Sequence, residues 1–148
     1  MNGVTQRSDD PRVQRVLRFY EGLREADLPH IAALYAPDAR FKDPFNEVQG
    51  VPPIRAIFEY MFRTLREPRF VVRQALAQHD QCFLTWDFHF VPRRGGAAMT
   101  IHGATHLRFG ADGRIALHRD YWDAAEELYE KLPLIGALMR WLKRRAAA

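Results

Sequence analysis

Met99-Thr100-Ile101-His102-Gly103-Ala104-Thr105-His106-Leu107-Arg108-Phe109, then Gly110-Ala111-Asp112-Gly113, then Arg114-Ile115-Ala116-Leu117-His118-Arg119-Asp120-Tyr121-Trp122, reads as two strands around a tight turn. Side chains alternate across a strand, so Met99, Ile101, Gly103, Thr105, Leu107 and Phe109 share one face and His102, His106 and Arg108 the other. Asp112-Gly113 is hairpin-turn chemistry. The same period runs upstream through Phe70-Val71-Val72 and through Phe83 to Val91, where Leu84, Trp86, Phe88 and Phe90 oppose Thr85, Asp87 and His89. Arg93-Arg94-Gly95-Gly96 turns the chain between neighbours. The pattern predicts four strands from Arg69 to Trp122 in an antiparallel meander, with the Leu84 and Met99 faces toward helices.

Those helices come first in the chain. Asp10-Pro11 is an N-cap followed by proline at the first helical position, and Val13, Val16, Leu17, Tyr20 and Leu23 repeat at helical spacing, which predicts a helix from about Pro11 to Arg24. Asp27 caps a shorter helix with Ile31, Leu34 and Tyr35 on one face, stopped by Pro37. Ala39 to Asp43 alternates as a short strand with Phe41 and Asp43 on one side. After a loop from Pro44 to Gly50, Pro52-Pro53 opens a third helix whose stripe is Ile54, Ile57, Phe58, Met61, Phe62 and Leu65. Helices followed by hairpins give an α+β layer fold.

The last strand departs from simple alternation. One face carries His118, Asp120 and Trp122, the other Leu117, Arg119 and Tyr121. Whichever face turns inward, a polar group enters the interior, where it must be paired or put to use. Alternate strand residues lie ~6.5–7 Å apart, so His118 and Asp120 can both reach one ligand or water. A histidine beside a carboxylate suits acid–base work. The structural alternative pairs Asp120 with Arg119 or Arg55 and His118 with the backbone.

Bulk properties narrow the field. The chain has 148 residues, 47% of them hydrophobic, with ten Phe, five Tyr and three Trp. That is enough for one domain, with a core at about 11–123 and a helical extension at 124–145. No leader-like or membrane-length apolar run is present, and the expected location is cytoplasmic. Cys82, the single cysteine, reads as a buried hydrophobe in a strand. The net charge of +4 gathers in Lys131, Arg140, Lys143, Arg144 and Arg145. Without a zinc spacing, phosphate loop or basic-aromatic RNA motif it gives no case for nucleic acid. His102 and His106 stand ~13 Å apart along a strand and cannot share an ion, so no metal site is expected. No cofactor is expected either.

Tyr35-Ala36-Pro37-Asp38-Ala39-Arg40-Phe41-Lys42-Asp43-Pro44-Phe45 with Gly50, and later Leu107-Arg108-Phe109, Asp112-Gly113-Arg114-Ile115 and Tyr121-Trp122, resemble segments of the nuclear transport factor 2-like superfamily. This superfamily includes ketosteroid isomerases and SnoaL-like polyketide cyclases, and the resemblance covers roughly residues 13 to 123. It implies a cone-like helical layer on a strongly curved antiparallel sheet, enclosing an apolar pocket. It also implies a proton-shuttling base at Asp43, with His118, Asp120 and Trp122 facing the pocket. An Asp-Pro pair is equally plain turn chemistry, so Asp43 can instead brace the loop to Gly50. Where the isomerase has oxygen-stabilising donors, the resemblance puts Phe19 and Thr105, which argues against ordinary steroid isomerisation. Tyr20, Tyr35 and Tyr60 remain as substitute hydroxyls, although buried tyrosines commonly just satisfy the core.

The expected catalytic residues are therefore Asp43, His118 and Asp120, and the expected ligand-binding residues Tyr20, Tyr35, Phe58, Trp86, Phe88, Thr105 and Trp122, with Phe90 in the same wall. The leading expectation is a cofactor-independent isomerase, cyclase or dehydratase acting on a small apolar organic molecule. The alternative is a non-catalytic binding or assembly module, dimeric through the outer face of the sheet. Beyond Trp122, Ala124 to Lys131 and Leu132 to Leu142 read as two short helices, the second apolar over more than half its surface with a basic end. It is expected to cover the domain's own core or pocket mouth; a dimer partner ranks next, and an anionic membrane surface last.

Overall fold

The computed structural model describes residues 5–127, 141, 142 and 144–147. Helix α1 (Pro11–Glu21) begins where Asp10 accepts the Arg12 backbone N–H, and its Val13, Val16, Leu17 and Tyr20 are buried. Hydrogen bonding from the Arg12 side chain holds the Asp10 carboxyl down at about 2. A 3-10 helix, Glu25–Ala33, follows. Then come β1 (Tyr35–Lys42), β2 (Glu47–Gln49), α2 (Val51–Thr64), β3 (Leu65–Gln78), β4 (Gln81–Pro92), β5 (Met99–Phe109), β6 (Ile115–Tyr121) and α3 (Ala124–Glu127).

The six strands form one sheet in the order β2-β1-β6-β5-β4-β3. The meander β3 to β6 is antiparallel throughout, as the alternation predicts. The sheet as a whole is nevertheless mixed, because β1 lies parallel to β6 with Phe41 opposite His118. Pro37 also behaves differently from the expectation. The chain is extended from Tyr35 onward, and Pro37 sits inside β1 rather than ending a helix. The register with β6 shifts between Tyr35 and Arg40, so the missing N–H of the proline falls where no partner is paired to it. Another register shift, between Val72 and Gln74, bends β3. The far edge of β3 is protected by residues 6–8, which bond to Ala75 through Ser8 N and Gln6 O.

One apolar cluster joins α1, α2 and the inward face of the sheet. Leu84, Trp86 and Phe90 of β4 and Ile101, Thr105, Leu107 and Phe109 of β5 are buried, as their parity requires. His102 and His106 face outward, where they bond Asp87 and Gln81. Burial alone would raise the Asp87 carboxyl, but hydrogen bonds from His102 and Arg73 hold it below its usual range. Asp123 caps α3 through the N–H groups of Ala125 and Glu126. Apart from Trp141 and Leu142, the helix expected over Leu132 to Leu142 lies outside the described residues. No helix among the described residues is long and apolar enough to cross a membrane.

Gly103 decides how Trp86 lies. The two residues are paired across β4 and β5, and a Cβ on Gly103 would stand 2.4 Å from Cη2 of the indole. The ring occupies the space that a side chain would take. Gly103→Ala should therefore displace the indole and cost roughly 1–3 kcal/mol, the usual range for overpacking a core, as measured by urea unfolding.

Candidate functional site

The helices and the inward face of the sheet enclose a cavity of about 260 Å³. Its walls are Phe41, Phe58, Phe70, Trp86, Phe88 and Trp122, filled out by Ile57, Met61, Val72, Leu84 and Ile101. Phe45 and Tyr60, both exposed, stand at the rim. Polar side chains gather at Tyr20, Thr105, His118 and Asp120, with Asp43 and Asn46 near Phe45. Among the described residues no Arg or Lys lines it.

His118 is 3% exposed, an uncommon position for a histidine unless both ring nitrogens find partners. They do. Nε2 lies 2.8 Å from Asp120 Oδ1, and Nδ1 lies 2.8 Å from the Tyr35 hydroxyl and 3.3 Å from that of Tyr20. The two phenols also bond each other. On the other side, Thr105 donates to Asp120 Oδ1 at 2.6 Å and accepts from Trp86 Nε1 at 2.7 Å. A continuous chain therefore runs from α1 through β1, β6 and β5 to β4. Burial pushes the Tyr20 and Tyr35 hydroxyls well above the usual phenol range, so both are neutral. Asp120 Oδ2 accepts no hydrogen bond from the described residues.

The strand parity brought His118, Asp120 and Trp122 to the cavity together, and among the described residues no arginine pairs with Asp120. Arg55 donates to the Leu28 carbonyl, and Arg119 lies over the Tyr121 ring. Asp43 lines the cavity and caps its own turn at the same time. Its Oδ1 accepts from Phe45 N, Asn46 N and Asn46 Nδ2, and its Oδ2 from Asn46 Nδ2. Tyr20, Phe58, Trp86, Phe88, Thr105 and Trp122 line the cavity, whereas Tyr35 does not; it is fully buried behind His118. Tyr35 was expected against the ligand, but as the first residue of β1 it faces the core instead.

Two contributions escaped the sequence reading. Phe70 and Phe41 are wall residues, and the parity of Phe70 with buried Val72 was available as a signal. The joining of Tyr20 and Tyr35 to His118 had no such signal, because the three lie on three elements. Among the described residues no three His, Cys, Asp or Glu side chains are placed to hold a metal ion. The lone Cys82 is buried, and burial raises its thiol to about 11, which leaves it unreactive.

Comparison with known families matches residues 16–118 to the SnoaL-like domain. Among solved structures, the chain is similar to an NTF2-like protein of unknown function from Burkholderia pseudomallei, with 22% identity, TM-score 0.69, and coverage of 78% of this chain and 92% of that one. It is similar to a putative polyketide cyclase from Pseudomonas putida, with 19% identity, TM-score 0.68, and coverage of 82% and 98%. A protein of ketosteroid isomerase-like fold from Catenulispora acidiphila, in complex with trimethylamine, has 15% identity, TM-score 0.71, and coverage of 82% and 92%. At this level of identity the structures show the fold alone. A search of curated proteins finds no match.

Among the described residues the Thr105 hydroxyl is the one acceptor of the buried Trp86 N–H. Thr105→Val keeps the shape and leaves that N–H unpaired, so it should cost about 1–3 kcal/mol in chemical unfolding.

Proposed function

The chain belongs to the SnoaL-like domain family, and from that premise we propose that its cavity binds a small, largely apolar molecule on which the His118–Asp120 pair moves a proton. Isomerisation, cyclisation and dehydration share one requirement, a group that removes a proton and a group that returns it. The observation that carries the reading is the pairing itself: a histidine bonded to a carboxylate, both on the wall of an aromatic cavity, with no arginine among the described residues neutralising the carboxylate. Aromatic walls alone would be ordinary core. The walls select an apolar body, and the polar corner orients its functional group. Asp43 is a second carboxylate for the ligand's exposed end. The trimethylamine complex of one structural relative supports small organic molecules as ligands of this fold.

A second reading is favoured by the outer face of the sheet. Leu76, Phe83 and Tyr121 are exposed there, with Phe83 stacked on His106. Such a surface suits a second copy of the chain, the cavity then serving to bind without turnover. Light scattering checks it, since Phe83→Glu should convert a dimer to monomers; a wild-type protein that is monomeric at high concentration excludes this assembly.

A mass-spectrometric screen for co-purifying small molecules identifies the ligand. On the reaction so found, Asp120→Asn should lower kcat on the order of 10²–10⁴-fold, the range of general acid–base catalysis. Unchanged turnover in both Asp120→Asn and Asp43→Asn would rule out the catalytic reading.

A further inference from the structure

The directions of the hydrogen bonds at the polar corner are set by one donor that cannot reverse. An indole N–H only donates. Trp86 Nε1 therefore uses Thr105 Oγ1 as an acceptor, and the Thr105 proton goes to Asp120 Oδ1. With Oδ1 accepting, His118 Nε2 is the donor to it. A neutral imidazole protonated on Nε2 keeps a lone pair on Nδ1. Nδ1 is within reach of both phenols, which also bond each other. Two hydroxyl protons thus meet two internal acceptors, the imidazole nitrogen and one phenol oxygen. Both are used inward, which leaves a lone pair free on the oxygen of Tyr20, the phenol that lines the cavity.

We propose that Tyr20 is the port through which protons enter and leave this cavity, with Tyr35 relaying them to His118 and Asp120 holding the resulting charge, a route that rests on the proton-transfer reading above. A C–H bond of the ligand breaks and its proton goes to the Tyr20 oxygen. As it arrives, the Tyr20 proton passes to Tyr35, and the Tyr35 proton to His118 Nδ1. The electron pair of the broken bond stays on the ligand, as an enolate where a carbonyl adjoins that carbon. The ligand has lost one proton, the imidazole has gained one, and both phenols begin and end neutral. Burial makes a free phenolate costly at either position, so each tyrosine gives a proton only as it receives one.

The transfer also reverses the chain. His118 Nδ1–H now donates to Tyr35, Tyr35 to Tyr20, and Tyr20 turns a proton toward the anion just formed. The same hydroxyl is then placed to protonate a different atom of the ligand. Few groups compete for this role. Among the described residues, Tyr20 on α1, Tyr35 on β1 and Asp120 on β6 bond His118 and Thr105 on β5 bonds Asp120, while Phe41 of β1 lies against the imidazole and Phe58 of α2 against the Tyr20 ring. Among the described residues, Asp43 is the other carboxylate on the cavity, and no Arg or Lys lines it.

Full-length protein labelled with ¹⁵N-histidine and ¹³C-tyrosine tests the wiring without a ligand. Neutral His118 should carry its proton on Nε2. On acidification Nδ1 should become protonated, with the Tyr20 and Tyr35 Cζ resonances shifting at the same midpoint; Tyr20→Phe and Tyr35→Phe assign the signals. A neutral His118 protonated on Nδ1, or a Tyr20 resonance unmoved through that titration, overturns the relay. Deuterium uptake at the α-carbon of acetophenone in D₂O tests the route. Tyr20→Phe should lower it on the order of 10²-fold, as Asp120→Asn does. Uptake retained in Tyr20→Phe but lost in Asp120→Asn makes the carboxylate the direct base and overturns the tyrosine route alone. No uptake above the uncatalysed rate in the wild type counts against proton transfer itself.

Discussion

A histidine in a protein core has two ring nitrogens to satisfy, and in this chain that requirement ties together elements far apart in sequence. His118 draws one partner from its own strand and two from β1 and α1. Its ring also lies 4.5 Å, centroid to centroid, from Phe41 on the parallel neighbour strand. An unpaired polar group at this depth would cost about 1–3 kcal/mol, a sizeable part of a domain's net stability. Packing of β1 against β6 and of α1 across the sheet therefore meets a polar demand as well as an apolar one.

Asp120 extends the same logic toward β4. Its Oδ1 is shared by His118 and Thr105, and Thr105 in turn receives the indole N–H of Trp86. The indole reaches that hydroxyl because Gly103 leaves room for its ring. A residue without a side chain on β5 thus decides where a carboxylate on the neighbouring strand β6 finds its partner. Ordinary packing and acid–base geometry are here the same set of contacts, so the cavity's polar corner is held by groups with little freedom to reorient.

Asp43 and Asp120 illustrate how environment separates two carboxylates on one cavity. Asp43, followed by proline at a strand end, turns back on Phe45 and Asn46 and fixes the rim. Asp120, inside a strand, cannot reach its own backbone in that way and is satisfied by side chains from the core. The first bonds locally and shapes the opening; the second bonds across the sheet and joins the buried chain of hydroxyls and imidazole.

Period-two alternation from Phe70 to Trp122 and the capped helical stripe from Pro11 determined the meander, the first helix and the face of nearly every sheet residue, because those properties depend on near neighbours in sequence. The inward placement of His118 and Asp120 followed from the same parity, aided by family resemblance. Tertiary structure alone decided that β1 runs parallel to β6, since pairing between residues some eighty positions apart leaves no local trace. That pairing made Pro37 a strand residue and put Tyr35 behind His118 rather than against a ligand. It also chose among the alternatives for Asp120, joining it to histidine and threonine instead of arginine. A buried hydrogen bond is selected by which donors the packing brings within about 3 Å, and sequence order does not carry that distance.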